Sequence, residues 1–161
     1  MQDGAIVVGY PGVGKTTVST DRVEFIDLES KCFYINKQRH PYWYIAYCSA
    51  AVHLASQGYT VFVSSHKPVQ EYLNCISPSC IQLSCCVPSL DLKEQWIEKL
   101  RLRYEESGLE PDYRAYCRAK DHYDEDITQL LQNFSDVILI TNMVYDLEEL
   151  LGVSKKNSEE S

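Results

Sequence analysis

Apolar and polar positions along the chain fall into runs of two periods, and the two kinds alternate. Ala5-Ile6-Val7-Val8 is a short unbroken apolar run and predicts a first strand. Val23–Leu28 and Thr60–Ser64, rich in β-branched and aromatic residues, predict strands two and three. Cys80–Val87 and Val137–Thr141 complete a set of five. Between them lie helical stretches: Lys15 to Asp21, His40 to Gln57, Val69 to Asn74, Leu92 to Glu106 and Pro111 to Asn133, with a last piece from Tyr145 to Leu151. Pro41 suits the first turn of its helix, and Gly58 supplies a left-handed stop. Ser89, with Asp91 as the alternative, is placed to cap the helix that starts near Leu92.

Strands that are apolar throughout, separated by helices, imply a parallel sheet covered on both faces, hence a three-layer α/β fold. Each crossover is then right-handed. The helix from Pro111 carries Tyr113, Tyr116, Cys117, Lys120, Tyr123, Ile127, Leu130 and Phe134 at three- and four-residue steps, a packing stripe. The helix from His40 offers two apolar faces, one of Ile45, Cys48, Val52 and Ala55 and one of Trp43, Tyr47 and Leu54. Residues 154–161 are polar and aperiodic and are expected to be a disordered tail, which leaves a single domain over 1–153.

A length of 161 residues suits one core. The net charge of −8 argues against general affinity for nucleic-acid backbones. No run reaches the length of about 18 apolar residues that a membrane span needs, and the first residues do not read as a signal peptide. The seven cysteines include no C-x-x-C pair, and adjacent Cys85 and Cys86 in a strand point to opposite faces, so zinc is not expected. Buried free thiols suit a reducing compartment, and a cytoplasmic location is the expectation.

Chemistry enters at Gly9-Tyr10-Pro11-Gly12-Val13-Gly14-Lys15-Thr16, the pattern G-x-x-x-x-G-K-T directly after the first strand and at the start of a helix. Such glycines let successive amides turn inward on phosphate oxygens. A lysine at this spacing reaches the β- and γ-phosphates, and the hydroxyl after it ligates Mg²⁺. The helix dipole adds to the same field. The residues expected to bind nucleotide are therefore Gly9, Pro11, Gly12, Val13, Gly14, Lys15, Thr16 and Thr17, with Thr16 on the metal.

The loop together with Phe25-Ile26-Asp27-Leu28-Glu29-Ser30, Val61-Phe62-Val63-Ser64-Ser65-His66 and the arginine-bearing segment 94–118 resembles the P-loop kinases of the nucleoside-monophosphate kinase type, especially small members from bacteriophages and gut bacteria. The resemblance covers nearly the whole chain. It implies strand order 2-3-1-4-5 and a helical lid over about 94–120 whose Arg101, Arg103, Arg114 and Arg118 neutralise charge on donor and transferred phosphoryl group. It also implies ATP and Mg²⁺ as cofactors and Asp27 as the carboxylate that orients or deprotonates an acceptor, with Glu29 as a weaker alternative. The expected acceptor is a nucleoside or deoxynucleoside monophosphate. A small alcohol or sugar is the alternative, and a regulatory nucleotide-binding module with little turnover is the third possibility.

The chain departs from related classes in identifiable places. Asn36-Lys37-Gln38-Arg39 lacks the aspartate of a guanine-reading stretch, and strand three ends in Ser64-Ser65-His66 where motor ATPases and several kinases have an acid. Ser64, Ser65 or Asp27 must then serve the metal's surroundings. Tyr34, Tyr42, Trp43, Tyr44 and Tyr47 follow strand two, where rings can stack on a base at ~1–3 kcal/mol each. Lys37 and Arg39 stand beside them, and His66 ends strand three. Base preference and assembly, monomer or homodimer, stay open.

Overall fold

The computed structural model describes residues 4–29, 34–35 and 38–152, with 21, 34, 35, 38 and 39 as backbone alone. The tail 154–161, Cys32 and Lys37 lie outside the described residues, as do the side chains of Tyr34 and Arg39. Elements run β1 (Ala5–Gly9), α1 (Lys15–Asp21), β2 (Phe25–Asp27), β3 (Tyr34–Ile35), β4 (Gln38–Arg39), α2 (Trp43–Ser56), β5 (Thr60–Val63), α3 (Lys67–Ile76), β6 (Gln82–Pro88), α4 (Lys93–Ser107), α5 (Glu110–Asn133) and β7 (Val137–Ile140). A helical segment over 147–152 follows.

Five strands form one all-parallel sheet in the order β2-β5-β1-β6-β7, while β3 and β4 make a small antiparallel pair of their own. Counted within the large sheet, that order is the expected 2-3-1-4-5. The chain leaves β1 toward one edge of the sheet and leaves β6 toward the other. In an open parallel sheet this reversal opens a crevice at the carboxyl ends of the two strands. Every residue of β1 is buried, which is why its sequence shows no alternation.

The two faces of the sheet are told apart by adjacent cysteines in β6. The Cys85 thiol approaches the Leu130 carbonyl of α5 at 3.8 Å. Cys86 points the other way, into the fields of Lys15 and Tyr145. On the first side α5 buries Tyr123, Ile127, Leu130 and Phe134. Helix α2 buries Trp43, Tyr47, Cys48, Ala51 and Ala55, where the two alanines bring its backbone close to the sheet.

Several expectations change. Helix α2 has one buried face, not two: Ile45 is exposed and Val52 and Leu54 are half-buried. It begins at Trp43 because Pro41 sits in a preceding turn, closed by the Trp43 amide donating to the His40 carbonyl at 3.0 Å. Neither Ser89 nor Asp91 caps α4. Leu90–Leu92 is a 3-10 turn, in which the Leu92 amide donates to the Ser89 carbonyl, and Leu92 takes the cap position without a side-chain bond. The packing stripe of α5 holds only in its second half, since Tyr113 and Lys120 are exposed. A break at His122 (φ −134°, ψ 20°) separates the two halves. Gly58, at φ 99°, stops α2 as expected.

Candidate functional site

The loop between β1 and α1 is shaped by two glycines. Gly12 has φ 92° and Gly14 φ 105°, a region that side chains rarely tolerate. A Cβ on Gly12 would also meet Leu100 Cδ2 at 3.1 Å and Trp96 Nε1 at 3.2 Å. Helix α4 thus lies directly under the loop, and Trp96 and Leu100 are buried there.

Two hydrogen bonds orient the loop peptides. Trp96 Nε1 donates to the Pro11 carbonyl at 2.8 Å, and the Tyr145 hydroxyl donates to the Val13 carbonyl at 2.7 Å. The C=O and N–H of a trans peptide point in opposite directions. Drawing the carbonyls of Pro11 and Val13 toward Trp96 and Tyr145 therefore turns the amides of Gly12 and Gly14 the other way. The two rings stack on each other (6.3 Å, 19°), and the Lys99 ammonium lies 4.4 Å from the Trp96 ring and 5.2 Å from that of Tyr145. The amides of Gly12, Gly14, Lys15, Thr16 and Thr17 take no backbone partner among the described residues.

Lys15 folds back so that Nζ donates to the Gly9 carbonyl at 3.3 Å. The lysine is therefore not freely solvated in the empty loop. Burial is the largest influence and pushes its pKa down; Asp27 opposes that, and Arg103 adds to it. Thr16 Oγ1 donates to Asp27 Oδ2 at 2.9 Å, which joins the first turn of α1 to the end of β2. Asp27 is thus engaged with the residue expected at the metal. Thr17 is exposed on the same turn.

Four arginines stand on the two helices beyond. Arg101 pairs with Glu98 and Glu105, Arg103 with Asp112 at 3.1 Å, and Arg114 with Glu110 at 2.5 Å. Arg118 holds Asp126 through both Nε and Nη2 at 2.8 Å, across the break at His122. Each arginine expected to face phosphate is held by a carboxylate, and the charge of Arg103 is among those that push the Lys15 pKa down. Residues 94–120 include Trp96, Leu100 and Ala119 in the core, at the two ends of the stretch, whereas none of residues 101–118 is buried.

At the ends of β2 and β5 the sequence pattern missed a buried polar frame. The Tyr47 hydroxyl donates to the Leu28 carbonyl at 2.6 Å and accepts from the Ser64 amide at 2.9 Å. Gln70, 2% exposed, donates to the Ser65 carbonyl at 2.7 Å. His66 Nδ1 lies 2.8 Å from Ser64 Oγ, and the His66 ring meets Trp43 edge-on at 5.5 Å. Of the expected aromatic cluster, Trp43 and Tyr47 are therefore core, while Tyr42 is exposed and Tyr44 packs on Tyr72. Glu29 is exposed beyond Leu28. Among the described residues no group of three or more His, Cys, Asp or Glu is arranged to hold a metal ion.

No protein-family profile matches the chain. No curated protein matches it either. Among solved structures, the crystal structure of an uncharacterized protein from Eubacterium ventriosum is similar, with a TM-score of 0.51 at 10% sequence identity, over 99% of this chain and 100% of that chain. At that identity the likeness bears on the fold alone. No helix among the described residues is long and apolar enough to cross a membrane.

Proposed function

We propose that the chain is a phosphotransferase that moves the γ-phosphoryl group of ATP, with Mg²⁺, to a small acceptor. The observation that carries this is the peptide orientation between Gly9 and Thr16: two positive-φ glycines whose preceding carbonyls are tied away by Trp96 and Tyr145. Loop amides turned to one side make an anion-binding concavity. Lys15, one residue on, brings a cation whose charge is worth more for being partly desolvated.

The oxygen donors suit a hard cation. Mg²⁺ takes one or two protein oxygens beside phosphate and water, and Thr16 Oγ1 and Asp27 Oδ2 stand together at the loop. When bound, the metal would neutralise phosphate charge. The chain's residues do the rest by position. The amides of Gly12 and Gly14 bind phosphate oxygens, Lys15 exchanges the Gly9 carbonyl for them, and Arg103, whose charge acts on Lys15, follows. It would first have to leave Asp112, as Arg101, Arg114 and Arg118 would have to leave their own carboxylates. Positioning and charge are most of what such a reaction asks of a protein.

The test is calorimetric titration with ATP and Mg²⁺, followed by ADP release in the presence of acceptors. Binding that is lost in Lys15→Ala, with acceptor-dependent ADP release, supports the reading. Tight binding without acceptor-dependent release makes the protein a nucleotide-binding module. No binding removes the reading.

A further inference from the structure

The basic residues of α4 stand in two different settings. Lys93 pairs with Asp124 at 3.1 Å, Arg101 with Glu98 and Glu105, and Arg103 with Asp112 at 3.1 Å. Lys99 enters no ion pair among the described residues and turns to aromatic rings instead. Its half-buried ammonium lies 4.4 Å from the Trp96 ring and 5.2 Å from that of Tyr145, and Nζ donates to the Tyr145 hydroxyl at 3.4 Å. Burial lowers its pKa, and Arg103, one turn on, adds to the effect. Holding a charge there costs free energy. An apolar side chain of the same length would cover the rings without that cost.

The two rings are the ones that hold the loop between β1 and α1. Trp96 Nε1 donates to the Pro11 carbonyl and the Tyr145 hydroxyl to the Val13 carbonyl. An ammonium against both rings draws electron density from them and makes both better donors. Bonds in a chain polarise one another. One such chain runs from Lys99 through the Tyr145 hydroxyl to the Val13 carbonyl, and the planar peptide carries it on to the Gly14 amide. That amide takes no backbone partner among the described residues.

The sign of the field agrees. The carbonyl oxygens of Pro11 and Val13 are the negative ends of their peptides, and they point to the rings on which Lys99 rests. A cation at the carbonyl end favours that alignment, as it does at the C-terminus of a helix. It also offsets carbonyl charge that would otherwise repel an arriving phosphate.

Resting on the nucleotide-binding part of the reading above, we propose that Lys99 is a positioning residue of the phosphate loop. Acting through the Trp96 and Tyr145 donors, its ammonium holds the Pro11–Gly12 and Val13–Gly14 peptides with their amides toward phosphate and strengthens those amides as donors. Lys99 stands on the carbonyl side of the loop and acts on the nucleotide only through these peptides.

The experiment is a calorimetric titration with ATP and Mg²⁺ of the wild type, Lys99→Met, Lys99→Arg, Tyr145→Phe and the double variant Lys99→Met with Tyr145→Phe. Thermal melting of each empty protein accompanies it. Methionine keeps the stem over the rings, so Lys99→Met should melt close to the wild type. ATP affinity is expected to fall about tenfold in Lys99→Met and to recover in large part in Lys99→Arg, which returns a cation to the rings. With the Tyr145 hydroxyl removed, Lys99→Met should cost about threefold or less, because one of its two routes to the loop is gone. Affinity of Lys99→Met within about twofold of the wild type overturns the assignment, whether or not its melting temperature falls. A loss that arginine does not recover, or an equal loss with and without the Tyr145 hydroxyl, also overturns it. In each of these cases nucleotide binding by the loop is left standing. Absence of ATP binding by the wild-type protein removes the nucleotide reading, and this assignment with it.

Discussion

The Thr16 hydroxyl donates to the Asp27 carboxylate at 2.9 Å, so the first turn of α1 and the end of β2 meet in one pair of oxygens. That contact gives Asp27 a partner in the residue proposed to meet the metal. On the proposed reading Asp27 would stand in for the acid that strand three lacks at Ser64-Ser65-His66.

Asp27→Asn is therefore expected to raise the Mg²⁺ concentration needed for half-maximal turnover, by about tenfold or more, with a maximum rate largely restored at high metal. An amide still accepts from Thr16 but offers no charge to the cation. A metal titration of ATP turnover checks this. A rate that stays low at saturating Mg²⁺ would instead give Asp27 a role in the chemistry.

Lys15→Ala should leave the empty protein as stable as the wild type or slightly more so, because the charge it removes is held in a desolvated position. The rise in melting temperature on adding ATP and Mg²⁺ should disappear, with turnover down by roughly 10²–10³-fold or more. Thermal melts with and without nucleotide read both effects. A nucleotide-induced shift of wild-type size in the alanine variant would detach the lysine from binding.

The sheet was readable from the chain because its evidence is local. Five apolar runs separated by helical periods, with Gly58 as a stop, are enough to propose a parallel sheet, and Gly9–Thr16 marks the candidate site at the carboxyl end of its first strand. What escaped was set by partners far along the chain. Trp96 reads as one more apolar residue of a helix until its Nε1 is found on Pro11, 85 positions away. Tyr145 and Val13 are 132 apart, and Tyr47 and Gln70 look like ordinary helix positions. Arg114 and Arg118, four apart, suggest a repelling pair from spacing alone. Glu110 and Asp126 alter that balance, one a turn before and one beyond a break the sequence did not announce.

Because those acids are in place, Arg114→Ala and Arg118→Ala should not gain stability by relief of repulsion. Both sites are exposed, so Arg114→Ala should fall within about 0.5 kcal/mol of wild type and Arg118→Ala should cost up to about 1 kcal/mol. If either arginine moves to phosphate during turnover, its removal lowers kcat and kcat/KM together. Equal kcat in both single variants and the double variant would leave them as surface pairs.

Trp96→Phe and Tyr145→Phe separate the loop's hydrogen bonds from its packing. Each keeps a ring and removes one donor, which strands the carbonyl of Pro11 or Val13 at a cost of about 1–3 kcal/mol. The freed peptides can then rotate, so ATP affinity should fall with stability. The stacked rings couple the two sites, and the double variant should depart from additivity by roughly 0.5–1.5 kcal/mol. Denaturant melts and calorimetry check the cycle. Stability losses without any loss of ATP affinity would make the two donors supports of the fold alone.

Alkaline pH supplies a last test of the buried groups. Burial pushes Cys48 and Cys86 from 9.0 up to about 12, Cys85 to about 11 and Tyr47 from 10.0 to about 12, and it raises Tyr10, Tyr123 and Tyr145 as well. For such acids the folded state holds more protons than the unfolded one between the two pKa values, so stability falls as pH rises through that window. Lys15 acts with the opposite sign: its folded pKa is lowered, the unfolded chain binds the extra proton, and stability rises with pH up to 10.5. Lys99, lowered by burial, acts in the same sense, so two lysines work against three thiols and four phenols, and the acids should prevail. Unfolding free energy is therefore expected to be level near neutrality and to decline from about pH 9 upward. Cys48→Ala should shallow that decline while costing stability at pH 7 for the packing it removes, since the thiol is fully buried between α2 and α3. Urea titrations at pH 7, 9 and 10 measure the slope, and an undiminished slope in the alanine variant would mean that the Cys48 thiol is not among the groups that titrate on unfolding.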